Sequence, residues 1–381
     1  MRIIIYEDEP EKFFPLINFF PQFNLRIGMK TIVEHSAYHF PKFRFDYIGR
    51  DLFNFKLNLK NEPTIYLSAR LLLKERIHLP YEETRFIVDD RNAGFLKVNP
   101  PFPQNFGEIQ NVLNNIKKKK EISGKLLNHP WDIIKFNAEM IVEHYKQIKK
   151  PCKVSRKIEF VGLRKSLFIA RDANIHKLVF LDCSAGPIYI DRGAEIKPFT
   201  TIVGPTYIGE GTILDRAKVI KSTIGPYCRI GGEVEECIFQ GFSNKYHEGF
   251  IGHSFIGEWV NIGSLTTNSD LKNNYSSVRI KMGKEIYDTG MVKLGCFIGD
   301  HTKLGIGTLI PTGAVIGSFV NFFGGGMMPG YVPSFRWIGP GINQEYDLDR
   351  AIKTARAVME RRGIILSREY EELIKWNYKN K

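Results

Sequence analysis

The stretch IDRGAEIKPFTTIVGPTYIGEGTILDRAKVI, residues 190–220, carries an aliphatic residue at every sixth position: Ile190, Ile196, Ile202, Ile208, Leu214 and Ile220. The beat returns at Phe250, Ile256 and Ile262, and again at Val292, Ile298, Leu304, Ile310 and Ile316. A period of six fits neither an amphipathic helix nor a long two-sided strand. It fits a parallel β-helix of hexapeptides, in which three short strands close a triangular coil of about 18 residues and each sixth side chain points to the axis. Gly and small polar residues fall between the beats, as in Ile208-Gly209-Glu210-Gly211 and Ile298-Gly299-Asp300, where tight corners favour them. The expectation for residues 186–326 is an all-β, left-handed parallel β-helix.

Outward from that prism the pattern changes twice. Residues 1–150 mix β and α signals, with short apolar runs at 3–6, 64–67 and 85–88 that read as buried strands. Trp131 to Ile148 is helical, with Ile134, Ala138, Ile141, Tyr145 and Ile148 on one face. Lys149-Lys150-Pro151 then stops the helix and reads as a linker. Residues 151–185 lead in as irregular strands, with Ile175 and Leu181 as a first beat. The beat lapses at 231–249 and at 269–291, and insertions in a solenoid are extruded loops that often lie on its binding face. Residues 327–381 form a short helical extension, one helix capped by Asp347 and a second starting near Ser367, suited to cover the open end of the prism. The 381 residues agree with two domains at about 100–200 residues each.

Composition narrows the function classes. Hydrophobic residues make up 43% of the chain, enough for two cores, yet no uncharged apolar stretch reaches the roughly 18 residues of a membrane span. The first residues lack the apolar core and cleavage site of a signal peptide. The five cysteines (Cys152, Cys183, Cys228, Cys237, Cys296) are scattered and odd in number, which reads as reduced thiols in the cytoplasm rather than disulfides or a zinc site. Of the net charge of +13, residues 1–185 hold +10 and residues 186–381 only +3. The run at 117–120 follows a helical pattern and reads as a solvated helix end, with anion binding as the alternative. No nucleic-acid-binding motif accompanies the charge.

The densest polar segment inside the repeat is Ser243-Asn244-Lys245-Tyr246-His247-Glu248-Gly249-Phe250-Ile251-Gly252. Catalytic prisms of this kind mostly move an acyl group from coenzyme A or another carrier. Such a transfer needs a base for the acceptor's proton, which a histidine titrating near neutrality supplies, and a donor for the thioester oxyanion. His247 falls near a corner, facing outward. His253, six residues on, raises a metal-site alternative, but that spacing turns the second ring by a third of a turn, so the two diverge. His301 reads as a corner residue. No metal site is expected.

These residues resemble a known family. Gly225-Pro226-Tyr227-Cys228, Gly231-Gly232-Glu233-Val234, Ser243-Asn244-Lys245, the run from His247 to Gly252, Ile256-Gly257-Glu258-Trp259 and the run from Asn268 to Tyr275 resemble the acetyltransferase half of the GlmU enzymes, bifunctional in UDP-N-acetylglucosamine synthesis. The likeness is closer to a divergent GlmU-like group of sugar nucleotidyltransferases and there extends to Asn24-Leu25-Arg26-Ile27-Gly28 and His129-Pro130-Trp131-Asp132-Ile133. It implies an N-terminal α/β nucleotidyltransferase-like domain ahead of the β-helix. It implies His247 as catalytic base, Glu235 as the glutamate that sets it, and Asn261 as an acceptor ligand, with Asn244, Lys245 and Phe250 beside it. Ser264, Asn268 and Asp300 become candidates for the acyl-CoA site, and the donor of this fold family usually lies between subunits of a homotrimer. Phe250 stands where the family has a sugar-binding tyrosine, and a nearby sugar-binding lysine has no counterpart, which points away from glucosamine 1-phosphate as acceptor.

The N-terminal domain departs further. Sugar nucleotidyltransferases cradle a triphosphate in a Gly-rich loop after the first strand. Here that strand runs into Glu7-Asp8-Glu9-Pro10-Glu11. Arg26, Gly28 and Lys30 are the substitute anion-site candidates, with ordinary turn residues as the alternative. Asp89-Asp90 reads as a turn against the alternative of a Mg2+ ligand. The expected function is acetyl-CoA- or other acyl-CoA-dependent transfer to a sugar phosphate or nucleotide sugar, in the cytoplasm, without nucleic acid or membrane. The alternatives are a Mg2+-dependent sugar-1-phosphate nucleotidyltransferase with the β-helix as scaffold, and a nucleotide-sugar-binding module without turnover.

Overall fold

Short parallel strands stack from Glu159–Val161 onward, each pairing with a strand one coil later. The computed structural model describes residues 1–57, 61–148 and 158–381; the linker expected at 149–151 lies outside them. Three inward columns follow from the pairing register. One runs Ile190, Ile208, Ile224, Phe239, Ile256, Ile298, Ile316, Val332. The second runs Leu181, Ile202, Val219, Val234, Ile251 and resumes with Asn268 and Ile310. The third runs Ile175, Ile196, Leu214, Ile230, Lys245, then Ile262, Leu304, Phe322 and Ile338. Their apolar members merge into one continuous core.

The beat is not as regular as the sequence suggests. Ile220 and Phe250 are half-buried, whereas their neighbours Val219 and Ile251 point to the axis. The pairings Ile196–Leu214 and Ile202–Val219 set a hexad of six residues beside one of five, which moves the inward position by one. Val292 is 46% exposed because it belongs to the extruded segment rather than to a coil. That segment carries an antiparallel hairpin, Arg279–Met282 with Glu285–Asp288, closed at its base by a Leu271–Lys293 bridge.

One corner of the prism carries a ladder of rings. Tyr227, Phe242, Trp259, His301, Phe319 and Phe335 each adopt a positive φ between 55° and 60°, and successive rings stack. The left-handed conformation is costly for bulky residues; here the stacking and burial of the rings oppose that cost. The helices Leu348–Glu360 and Arg368–Lys379 cover the upper part of the ladder. Asp347 and Ser367 cap them as expected, accepting from Arg350 N and Tyr370 N.

The described residues form two compact units that interleave along the chain. One comprises residues 1–13, 20–25 and 30–132; the other takes residues 14–19, 26–29 and 133–381. The first unit holds a six-stranded mixed sheet in the order Arg44–Ile48, Arg2–Tyr6, Thr64–Ser68, Arg91–Lys97, Thr84–Val88, Lys119–Glu121. Asp89 and Asp90, at φ 48° and 60°, form the two-residue turn of the hairpin between Thr84–Val88 and Arg91–Lys97, in agreement with the turn reading. The basic run at 117–120 is not a helix end. The helix stops at Asn115, and Lys119–Glu121 pairs in parallel with Thr84–Val88 as the edge strand. Lysines suit an edge because they discourage a further strand from adding there. Among the described residues, no helix is long and apolar enough to cross a membrane.

Candidate functional site

His247 projects from a solenoid corner and is exposed. Its ring meets Tyr246 edge-on, with centroids 5.7 Å apart and planes at 82°. Tyr246 is itself held from below. Its hydroxyl donates to Asp215 Oδ2 at 2.7 Å and accepts from Lys197 Nζ at 2.9 Å. The Tyr246 hydrogen bond, aided by Lys197 and Arg216, holds the Asp215 carboxyl below its usual range. Lys197 and Asp215, from two successive coils, thus reach past the coil of Gly231 to fix the ring against which His247 rests. On the adjoining flat face, Asn244 and Asn261 stand one coil apart in register, Asn244 Nδ2 donating to Asn261 Oδ1 at 2.8 Å. Asn244 is half-buried and Asn261 exposed, so a carboxamide pair faces solvent beside the histidine corner.

Two of the expected ligands turn inward instead. Lys245, expected beside the acceptor, is 1% exposed and sits in an axial column between Ile230 and Ile262. Its ammonium donates to Gly231 O at 2.7 Å and His247 O at 3.0 Å, so it is committed to backbone carbonyls. Asn268, expected at the donor, is 4% exposed and likewise axial. Its carboxamide accepts from Gly252 N at 2.7 Å and donates to Gly252 O at 3.0 Å, anchoring the base of the extruded loop. Asp300 is sealed at 0% exposure, one oxygen accepting from Glu258 N at 2.6 Å. Burial, and then the neighbouring Glu258, push its pKa well up, which favours the neutral acid. Ser264 is half-buried, its carbonyl accepting from Gly307 N.

Glu235 pairs with Gly252, five residues beyond His247, and among the described residues no hydrogen bond or ion pair joins it to that ring. Phe250 pairs with Glu233 and lays its ring over Gly252, where a Cβ would stand 2.4 Å from the Phe250 ring. Arg26 and Gly28 are engaged within the solenoid unit, Arg26 with Gln240 and Gly28 with Asn137 and Thr223. Lys30 belongs to the other unit, 4.5 Å over the Tyr38 ring. The three do not make one anion site within either unit.

The residues that sequence reasoning passed over are Lys197, Asp215, Tyr246 and the surroundings of His253. Lys197 and Asp215 each follow an axial beat by one residue (Ile196, Leu214), and that shared offset is the signal that would have aligned them. His253 is buried between two carboxylates, with Nδ1 2.7 Å from Asp270 Oδ2 and Nε2 3.3 Å from Glu236 Oε2. Burial alone would lower its pKa, but the bonds to Asp270 and Glu236 prevail and raise it to about 9. With both ring nitrogens taken by carboxylates, His253 ties the base of the extruded loop to the coil below, and this speaks against its service as a metal ligand.

Residues 3–153 match a family model described as sugar nucleotidyl transferase. A bifunctional sugar-1-phosphate nucleotidylyltransferase/acetyltransferase of Sulfurisphaera tokodaii is 32% identical over 155 residues, 38% of this chain and 37% of that protein. The bifunctional protein GlmU of Methanocaldococcus jannaschii is 23% identical over 227 residues, 55% of this chain and 48% of that protein. The chain is similar to these bifunctional enzymes at modest identity. The matched regions span less than half the length of either relative. A hexapeptide transferase family protein from Anaplasma phagocytophilum aligns over 58% of this chain and 99% of its own, at 15% identity and a TM-score of 0.26, too low to carry an argument.

The first unit carries a polar cavity of about 460 Å³, just past the carboxyl ends of the parallel strands Arg2–Tyr6 and Thr64–Ser68. Open α/β sheets place their ligands at such strand ends. Glu7, Asp8 and Glu9 of the acidic run that follows the first strand are each paired with a cation. Glu7 pairs with Arg50 at 3.0 Å, Asp8 with Arg70 at 2.8 Å, and Glu9 with Arg70 and Lys12 at 2.6 Å each. Lys12, Arg70, Arg91 and His129 line the cavity together with Asp8, Glu9 and Asp90.

Proposed function

We propose that the solenoid unit is an acyl-CoA-dependent transferase, acetyl-CoA being the first donor to try, acting on a sugar phosphate or nucleotide sugar. The observation that carries the reading is the exposed His247 ring resting on the anchored Tyr246, beside the solvent-facing Asn244–Asn261 pair. The likeness to bifunctional nucleotidylyltransferase/acetyltransferases supports it.

His247 takes the proton of the acceptor's amine or hydroxyl as that atom attacks the thioester carbonyl. The tetrahedral intermediate collapses with cleavage of the C–S bond, and the imidazolium returns the proton to the leaving thiolate. Asn244 and Asn261 hold the acceptor, their amides suited to sugar hydroxyls. Phe250, three residues after His247, adds an apolar surface, and Ser264 is the remaining accessible candidate for the donor. The protein works on small molecules as a cytoplasmic homotrimer, without nucleic acid or membrane.

The test is thiol release from acetyl-CoA over a panel of amino-sugar 1-phosphates and nucleotide sugars. His247→Ala is expected to lose at least about 100-fold in kcat, in line with removal of a general base, while remaining folded and associated as the parent. Parent-like turnover in that variant would sink the assignment. A second reading, a Mg2+-dependent nucleotidyltransferase in the first unit, draws on the residue 3–153 match and on the cavity. Asp8 and Glu9 are paired with Arg70 and Lys12, and among the described residues no three ligating side chains stand together to hold a metal ion. Mg2+ would therefore enter on the triphosphate and screen its charge. Pyrophosphate release over a panel of nucleoside triphosphates and sugar 1-phosphates tests it, and none with any pair removes it.

A further inference from the structure

The third axial column is aliphatic from Ile196 to Ile338 apart from Phe322 and one lysine. Ile230 lies one coil below Lys245 and Ile262 one coil above, so the fold itself asks only for an apolar side chain there. The ammonium is buried, and among the described residues no carboxylate comes within ion-pair distance of it. Burial holds its pKa down at about 8, with Glu248 and Glu233 acting the other way through space. A buried charge without a counter-ion costs stability that an aliphatic residue would not.

The backbone is shaped around this group. A Cβ on Gly232, which has a φ of +66°, would stand 2.8 Å from Lys245 Nζ and from Gly249 O. A Cβ on Gly231 would stand 2.1 Å from Tyr246 O. The Gly231-Gly232 pair therefore clears the space in which the ammonium reaches two carbonyls on neighbouring coils. One of those carbonyls belongs to His247 itself.

We propose that Lys245 is a positioning residue for His247: its ammonium, entering from the axial column, ties Gly231 O to His247 O and fixes the corner from which the imidazole projects. The proposal rests on the reading of His247 as the base. It states where a second determinant of that site lies, inside the prism rather than on its surface.

The test is Lys245→Met, which restores an apolar axial residue of similar length, made in the full chain. With acetyl-CoA and the best acceptor of the panel, kcat falls by about 100-fold, the scale of effect that a misplacement of about 1 Å produces. KM for acetyl-CoA stays within about twofold, as expected when ground-state binding is untouched. The melting temperature changes little, because removal of the buried charge opposes the loss of a donor to the two carbonyls. A crystal structure of the variant shows the His247 ring moved from its place against Tyr246. Parent-like kcat, a fall in melting temperature that accounts for the lost activity, or an unmoved ring overturns the proposal. His247→Ala separates the two claims: if it stays active, the reading of the base fails, and the crystal structure of Lys245→Met still judges the role of the lysine.

Discussion

The coil around Ile202 and the coils around Lys245 are built from the same hexad, yet their interiors obey different rules. At Ile202 the axial positions are aliphatic and closed, with Leu181 below and Val219 above. At Lys245, and again at Asn268, the axial position is polar and its partners are backbone groups of the corner itself. Hydrophobic burial stabilises the first region without regard to direction. Hydrogen bonds from inside orient the second at particular atoms, at a cost in desolvation. A solenoid that needed only rigidity would have no use for the second kind of coil, which marks the stretch from Gly231 to Asn268 as one under a constraint other than stability.

Four measurements sharpen or break this contrast. Ile202→Ala, in the closed region, should cost about 2–5 kcal/mol, the range for a fully buried large-to-small change, and leave kcat per folded molecule unchanged; a selective loss of turnover would erase the distinction. His253, raised to about 9 from an ordinary 6.5, contributes stability that is complete below about pH 6.5 and lost as pH rises through 9. The contribution is about 3 kcal/mol at most. Melting temperature should therefore fall between pH 7 and pH 10, and the fall should be smaller in His253→Gln; an identical slope in parent and variant would remove the Glu236–His253–Asp270 tie from the account. Asn261→Ala should raise the acceptor's KM by about tenfold, the worth of one good hydrogen bond, with KM for acetyl-CoA unmoved. Tyr246→Phe keeps the ring under His247 but severs it from Lys197 and Asp215, and a loss of about threefold in kcat is expected from one weakened support; no change would show that packing alone holds the ring.

Much of the architecture is legible in the chain alone. The sixfold beat reports a solenoid because only a closed triangular coil brings each sixth side chain to one axis. Asp347 and Ser367 are readable as caps because capping is local, a side-chain oxygen meeting an N–H three residues on. The edge strand Lys119–Glu121 is not readable, because the apolar spacing before it is helical and nothing local says where the helix stops. Arg26 and Gly28 look like an anion site from their types; their partners Gln240, Asn137 and Thr223 lie more than a hundred positions away.

The candidate site divides in the same way. His247 and Asn244 can be nominated from the polar run they share, whereas Asn261, fourteen residues after His247, is reached only through the family resemblance. Asn268 stands six residues after Ile262, on the beat, but Lys245 falls one residue off it and its inward turn is not decided by the sequence. A hexad that loses one residue at a bulge shifts every later side chain to another face, and only the pairing of strands from different coils fixes the register. By itself the sequence determined the prism, its helical end cap and the outward histidine, all set by short-range pattern. The tertiary structure alone decided which polar side chains turn inward to hold the corner, because that depends on which backbone carbonyls the next coil brings within hydrogen-bonding distance.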